Sequence, residues 1–213
     1  HSTSRRQRQM CIRDRVSSAL DFILPFEKYK ITAGAKVSFT NTRNGINYDT
    51  SDPTLVQDDY FRYKEQIYAL YADYSREFSE RFSMQLGLRM EHTRTTGISE
   101  AKDTEDKHDY TRLFPTVYLL YSPTDGHALN FSFSNRISRP SQNMVNPFPF
   151  YQNKYTYACG REDLKPSYTY NAELGYTLKN NFNVSAYYSY SDDVFFQVVD
   201  LDAETNVTSF LWE

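Results

Sequence analysis

Residues 82–91 read Phe-Ser-Met-Gln-Leu-Gly-Leu-Arg-Met-Glu, and their alternation decides the fold class. Phe82, Met84, Leu86, Leu88 and Met90 take every second position, with Ser83, Gln85, Gly87, Arg89 and Glu91 between them. A helix would scatter those apolar residues around its circumference, whereas a strand puts them all on one face. The same period runs through Ile31–Thr40, Leu129–Ser134, Thr169–Leu178 and Phe182–Tyr190. Predicted strands cover 17–25, 30–42, 59–75, 80–95, 111–122, 126–138, 167–178 and 181–198, with a partial ninth from about 205 to the end.

Composition agrees. The 213 residues include 19 Tyr and 15 Phe against one Trp. Tyr joins an apolar ring to a polar tip and suits surfaces that are half greasy and half wet. The longest apolar run, Ile67 to Ala72, falls far short of the ~20 residues of a spanning helix. Transmembrane strands stay open, because their signal is alternation rather than mean hydropathy. The formal charge of −3 excludes a nucleic-acid footprint for the whole chain.

The links between strands alternate in length. Short ones at 25–30, 75–80, 122–127 and 178–182 alternate with long ones at about 42–59, 95–110 and 138–167. The expected fold is therefore all-β, an antiparallel up-and-down meander of about eight to nine long strands. Short turns would lie on one rim and long loops on the other, as in part of a larger transmembrane β-barrel. A soluble barrel or sandwich also alternates. The long strands, with Tyr clustered near their ends, favour the membrane version.

The stretch 136–176 reads RISRPSQNMVNPFPFYQNKYTYACGREDLKPSYTYNAELGY. It resembles the signature segment of the outer-membrane β-barrel family of Bacteroidota proteins akin to TonB-dependent receptors. The matching elements are Arg136 to Pro140, then Asn146-Pro147-Phe148, then Leu164-Lys165-Pro166, then Glu173 to Tyr176. Leu113-Phe114-Pro115 and Leu24-Pro25-Phe26 resemble the family as well. Where the family carries Gly-Asn-Pro, this chain has Gly160-Arg161-Glu162, and Ser167 stands in place of the family Glu.

The resemblance implies a Gram-negative outer-membrane receptor or transporter importing a large nutrient. Its partners would be outer-membrane lipid, an inner-membrane TonB-type energiser engaged through a plug domain not visible here, and a surface lipoprotein. The alternative is a structural or adhesive barrel without active uptake. No cofactor is expected.

Five charged residues, Lys36, Arg89, Glu91, Arg136 and Glu173, are candidates for the lumen. They would lie on the concave face, with Phe82, Met84, Leu86, Leu88, Phe131, Phe133, Leu174 and Val184 on the convex lipid side. The charges can be read as a cross-strand ladder or as a polar path for substrate. In 138–167, Arg139-Pro140 should end a strand, because Pro cannot donate to the ladder. Asn146-Pro147 and Lys165-Pro166 punctuate an ordered fold-back. Its elements can be read as rim staples, or Phe148, Phe150, Tyr151, Tyr155 and Tyr157 as an aromatic binding surface.

Catalysis finds little support. His1, His92, His108 and His127 lie at no metal-ligand spacing, and no GxSxG, Walker or GxGxxG string occurs. The acidic stretch 99–109 reads as a solvated loop in preference to a cation site. Residues 1–15 carry five Arg and one Asp and resemble translated sequencing-adapter read-through. They are set aside as a non-native or disordered leader, leaving 19 basic and 26 acidic residues, or −7. Residues 16–213 form the expected partial barrel. With strands at both ends, they should form an open sheet whose first and last strands do not pair.

Overall fold

The structure is a computed structural model describing residues 6–49, 59–99, 104–153, 155–179, 181–203 and 206–213. Eight strands form the main sheet: β1 (Arg6–Pro25), β2 (Tyr29–Asp49), β3 (Asp59–Ser79), β4 (Phe82–Ser99), β5 (Thr104–Tyr121), β6 (His127–Ser138), β9 (Ser167–Leu178) and β10 (Phe182–Asp192). They lie in the order β1-β2-β3-β4-β5-β6-β9-β10, and every neighbouring pair is antiparallel. β1 and β10 are the two edges, with no pairing between them among the described residues. The chain forms the expected open meander.

A second sheet has the order β11-β12-β8-β7 and joins β7 (Phe150–Asn153) and β8 (Thr156–Cys159) to β11 (Gln197–Asp202) and β12 (Val207–Trp212). Here the sequence reading needs correction. The segment from about 205 does not start another strand of the main sheet; it pairs in parallel with β8, Thr208 opposite Thr156 through Leu211 opposite Cys159. A parallel pair needs a long connection, and β9, β10 and β11 supply it. The break from the main sheet comes at Asp193, whose φ of 51° lies in the left-handed region that Asp tolerates.

Two further corrections concern strand length. Residues 6–15, set aside above, are continuous with β1 and pair with Asp49 through Thr40. The expected long loop at 95–110 is mostly strand, since β4 runs to Ser99 and β5 starts at Thr104. Apolar alternation ends near Met90, but polar cross-strand pairs carry the ladder on. Arg94 faces Asp109 at 2.8 Å, and His92 Nδ1 lies 3.0 Å from the Thr111 hydroxyl. Residues 50–58 and 100–103, within two of the expected loops, fall outside the described residues.

The register separates the two sets of side chains. Lys36 faces Ala69, which faces Glu91, which faces Arg112. Arg89 lies two residues from Glu91 on the same face, and the β6 and β9 ladders put Arg136 and Glu173 there too. Phe82, Met84, Leu86, Leu88, Phe131, Phe133, Leu174 and Val184 all fall on the other face. The polar face is the covered one: Ser38, Thr40, Thr42, Asn44, Glu91, Thr93 and Thr95 are buried, while Leu70, Leu88, Leu113, Leu174 and Val184 are exposed.

That inversion is the opposite of a water-soluble sheet and fits one bathed in lipid. The exposed apolar stripe runs roughly nine residues per strand, which at about 3.3 Å per residue and 35–45° tilt spans about 20–25 Å. Aromatic rings mark its ends. Phe26 stacks on Tyr29 and Phe78 packs on Phe82 near the short links, while Phe39 meets Tyr68 edge-on at the far end.

Between β6 and β9 the chain folds back. Ser138 ends β6, and a single helical turn, α1 (Gln142–Val145), leads to the buried Asn146-Pro147-Phe148. The Asn146 side chain accepts from the Phe148 N–H at 3.2 Å. The N–H groups of Gly160 and Arg161 then donate to Asn146 and Met144 carbonyls at 2.8 and 2.7 Å, which closes the fold-back. Val145 and Leu164 pack with Phe61 of β3 as a small core, flanked by Tyr63, Met144, Phe195 and Trp212.

Two outcomes test this arrangement. A Cβ on Gly160 would come within 2.4–2.8 Å of the Asn146 and Met144 backbones. Gly160→Ala should therefore cost about 1–3 kcal/mol and make the fold-back sensitive to limited proteolysis. Leu86→Arg, at the middle of the Phe82–Met90 stripe, should cost roughly 2–4 kcal/mol in urea unfolding from liposomes. Ser132→Arg, on the other face beside Glu173, should cost far less.

Candidate functional site

The described polar side chains converge on Arg139, the first residue past β6. Its guanidinium donates to Glu91 at 2.5 Å and to the Thr93 hydroxyl at 3.1 Å, and its Nε lies 3.7 Å from Glu65. Glu91 also accepts from Arg89 at 2.5 Å. Arg89 lies 5.6 Å from the Tyr71 ring centroid, and the Tyr71 hydroxyl donates to Asp21 of β1. One chain of contacts, Asp21-Tyr71-Arg89-Glu91-Arg139, thus crosses the polar face from the first strand to the fold-back.

The local reason is geometric. Tyr71 can reach β1 because Gly34 stands between them on β2; a Cβ there would come within 2.5–2.6 Å of the Tyr71 ring. Burial works against the Arg139 charge, but the bond and charge of Glu91 together with Tyr110 outweigh it and hold the guanidinium above its ordinary value. Two Arg on one Glu form an unbalanced buried group, which Glu65 offsets. Beside it, the Arg112 guanidinium stacks 4.7 Å from the Tyr168 ring. The arrangement can hold charges in fixed positions and fasten the fold-back to the wall. It offers no nucleophile and base pair in contact.

Of the five charged candidates, the structure brings Arg89 and Glu91 together. Lys36 and Glu173 are half-buried and Arg136 is exposed on the same face, outside the cluster. In the fold-back, Asn146, Pro147, Phe148 and Leu164 are buried, Pro140 and Pro166 half-buried and Lys165 exposed. Phe148 is therefore packed inside, not part of an aromatic surface. Phe150, Tyr151 and Tyr155 are exposed, and Tyr151 packs 5.5 Å from Tyr157. In the turn that departs from Gly-Asn-Pro, Arg161 bonds Asp163 at 2.6 and 3.0 Å and holds its carboxyl below the usual range.

Sequence reasoning read Arg139 as a strand end and a residue of the family motif, and passed over Thr93, Tyr110 and Arg112. Period-two parity on β3, β4 and β5 puts those three, with Glu65, on the face of Glu91. Nothing local marks that Arg139 reaches back to them.

The sequence model of the outer membrane protein beta-barrel family matches residues 1–213. No curated protein sequence matches. Among solved structures, the copper transporter OprC superposes over 97% of this chain with a TM-score of 0.71 at 13% identity, which is 34% of its own length. The ferric yersiniabactin uptake receptor FyuA from Yersinia pestis covers 89% at 0.56 and 16% identity, using 30% of that chain. The ferric citrate transporter FecA covers 92% at 0.56 and 13% identity, using 28%. The chain thus spans about a third or less of these proteins, and at such identities the likeness is one of fold.

Glu91→Ala leaves two guanidinium groups beside a half-empty site and should destabilise by about 3–5 kcal/mol. The double variant Glu91→Ala/Arg139→Ala should lose clearly less than the sum of the two singles. Urea unfolding of the micelle-bound protein reads both.

Proposed function

The chain belongs to the outer membrane protein beta-barrel family, and on that premise we propose that it forms the barrel wall of an importer for a large nutrient. Its apolar stripe would meet lipid, and its polar face would line a lumen. Lys36, Arg89, Glu91, Arg136 and Glu173 would then keep the interior wet, with the Arg139 cluster fixing the fold-back at the rim. The resemblance seen in 136–176 adds an inner-membrane TonB-type energiser, engaged through a plug domain, and a surface lipoprotein that delivers substrate.

The observation that carries the reading is the paired charge chain across a face covered by the chain's own fold-back. An adhesive or structural barrel needs a wet interior but no fastened segment over it. The exposed Phe150, Tyr151 and Tyr155 of the fold-back would be placed to meet substrate.

Photo-crosslinking between the full-length protein and TonB in cells tests this. A crosslink that disappears when the plug is deleted is the expected result. Full assembly in the outer membrane without any TonB crosslink would leave the structural reading in its place.

A further inference from the structure

β5 lies in the middle of the main sheet, yet its first half has a partner strand on one side only. Its ladder with β4 runs the whole length from Thr104 to Tyr121, whereas its ladder with β6 ends at Thr116 opposite Ser134. Among the described residues, no backbone group pairs with the other side of Thr104–Pro115. The phase of that edge is fixed. The Leu113 carbonyl points away from β4, because the Asn135 side chain donates to it at 3.5 Å. In an antiparallel ladder, alternate residues turn their backbone groups the same way. The N–H and C=O of Glu105, Lys107, Asp109 and Thr111 therefore point there too, as a free strand edge. It stands at the end carrying the fold-back, and long connections of such barrels face outward.

A free edge is a template for an added strand, and charge along it decides which strand can approach. Five carboxylates lie along this one: Glu105, Asp106 and Asp109 on β5, and Glu162 and Asp163 in the fold-back. The two groups adjoin where the Thr104 hydroxyl donates to Glu162 at 3.4 Å. Three cations stand against them: Lys107 at 2.9 Å from Glu105, Arg94 at 2.8 Å from Asp109 and Arg161 at 2.6 Å from Asp163. Asp106 meets only His108, at 2.8 Å, and Glu162 makes no ion pair among the described residues. Negative charge is in excess.

A separate observation at the throat of the fork points to a backbone ligand. Asn135 is nine-tenths buried, and its Oδ1 accepts no hydrogen bond. A buried oxygen left bare costs free energy, which an incoming N–H would recover.

We propose that the free edge of β5, from Glu105 to Leu113, takes up an extended cationic peptide as an added strand. Main-chain bonds to the edge would supply affinity, and the surplus carboxylates would select Lys or Arg side chains. An N–H entering the fork would reach Asn135 Oδ1. The proposal is independent of nutrient uptake.

The test uses the full-length protein in nanodiscs at low salt, with three synthetic hexapeptides as probes. One alternates Lys with Val, the second is the same peptide methylated at every backbone nitrogen, and the third has Glu for Lys. The first should bind and slow hydrogen exchange at the amides of Glu105, Lys107, Asp109, Thr111 and Leu113. The methylated and Glu peptides should each bind at least roughly tenfold more weakly. Thr111→Pro removes one edge N–H, in phase with Pro115 and so without touching the β4 ladder, and should weaken binding about 3- to 10-fold. Thr111→Ala keeps that N–H and should bind as wild type. Heat-modifiability of each variant confirms a folded barrel. Equal binding of the methylated peptide, or of the Glu peptide, would overturn the proposal. Exchange at those amides that is already slow in the free protein would mean that another segment of the chain holds the edge, and would overturn it too.

Discussion

A backbone in lipid has no water to bond, so every N–H and C=O in the spanning region must find its partner in a neighbouring strand. That constraint organises the whole chain. It imposes long antiparallel ladders, and ladders fix side-chain parity from strand to strand, because a slip of one residue would turn every side chain over. Lys36, Ala69, Glu91 and Arg112 share a face only because three successive ladders keep register. The polar cluster follows from the ladder and not the reverse.

Within the lipid span, apolar alternation enforces that register. Beyond it the enforcement changes hands. From His92 upward both faces of β4 and β5 are polar, and the ladder is kept by cross-strand partners such as Arg94 with Asp109. Such exposed pairs contribute little singly, so continuity with the apolar stripe below carries much of the order above. The fold-back adds an apolar core at this end, Phe61 with Val145 and Leu164, and the Arg139 bonds hold it against the polar face.

This division explains what the sequence reveals. The main sheet was legible because period two over Phe82–Met90 and its neighbours has no helical reading. Strand ends were not legible, since Thr93 to Ser99 and Thr104 to Asp109 carry no apolar period and composition alone reads them as loop. The second sheet was hidden for another reason. Thr156–Cys159 and Val207–Trp212 are short, distant in sequence and parallel, and nothing local marks their pairing. At the site, parity exposed Arg89 and Glu91, while Arg139 joins them by a tertiary contact that spacing cannot encode.

Pro115 shows how local chemistry and this division meet. The β5–β6 ladder stops at Thr116 opposite Ser134, one residue short of a proline that has no N–H to give. Past that point β5 continues with β4 alone, and β6 continues with β9. The sheet forks, and the groups that bridge the fork are side chains: Asn135 donates to the Leu113 carbonyl at 3.5 Å, and Arg112 stacks on Tyr168. A fork within the hydrocarbon would leave bare backbone in lipid at several kcal/mol per group. It begins at Pro115, opposite Leu88 in the upper part of the apolar stripe, and opens toward Thr111 and Asp109, where water and side chains can serve the freed groups. The fork also frees β6 to end at Ser138 and turn its next residue, Arg139, onto Glu91. The position of one proline relative to the end of the apolar stripe therefore sets where the wall opens and what is fastened across it.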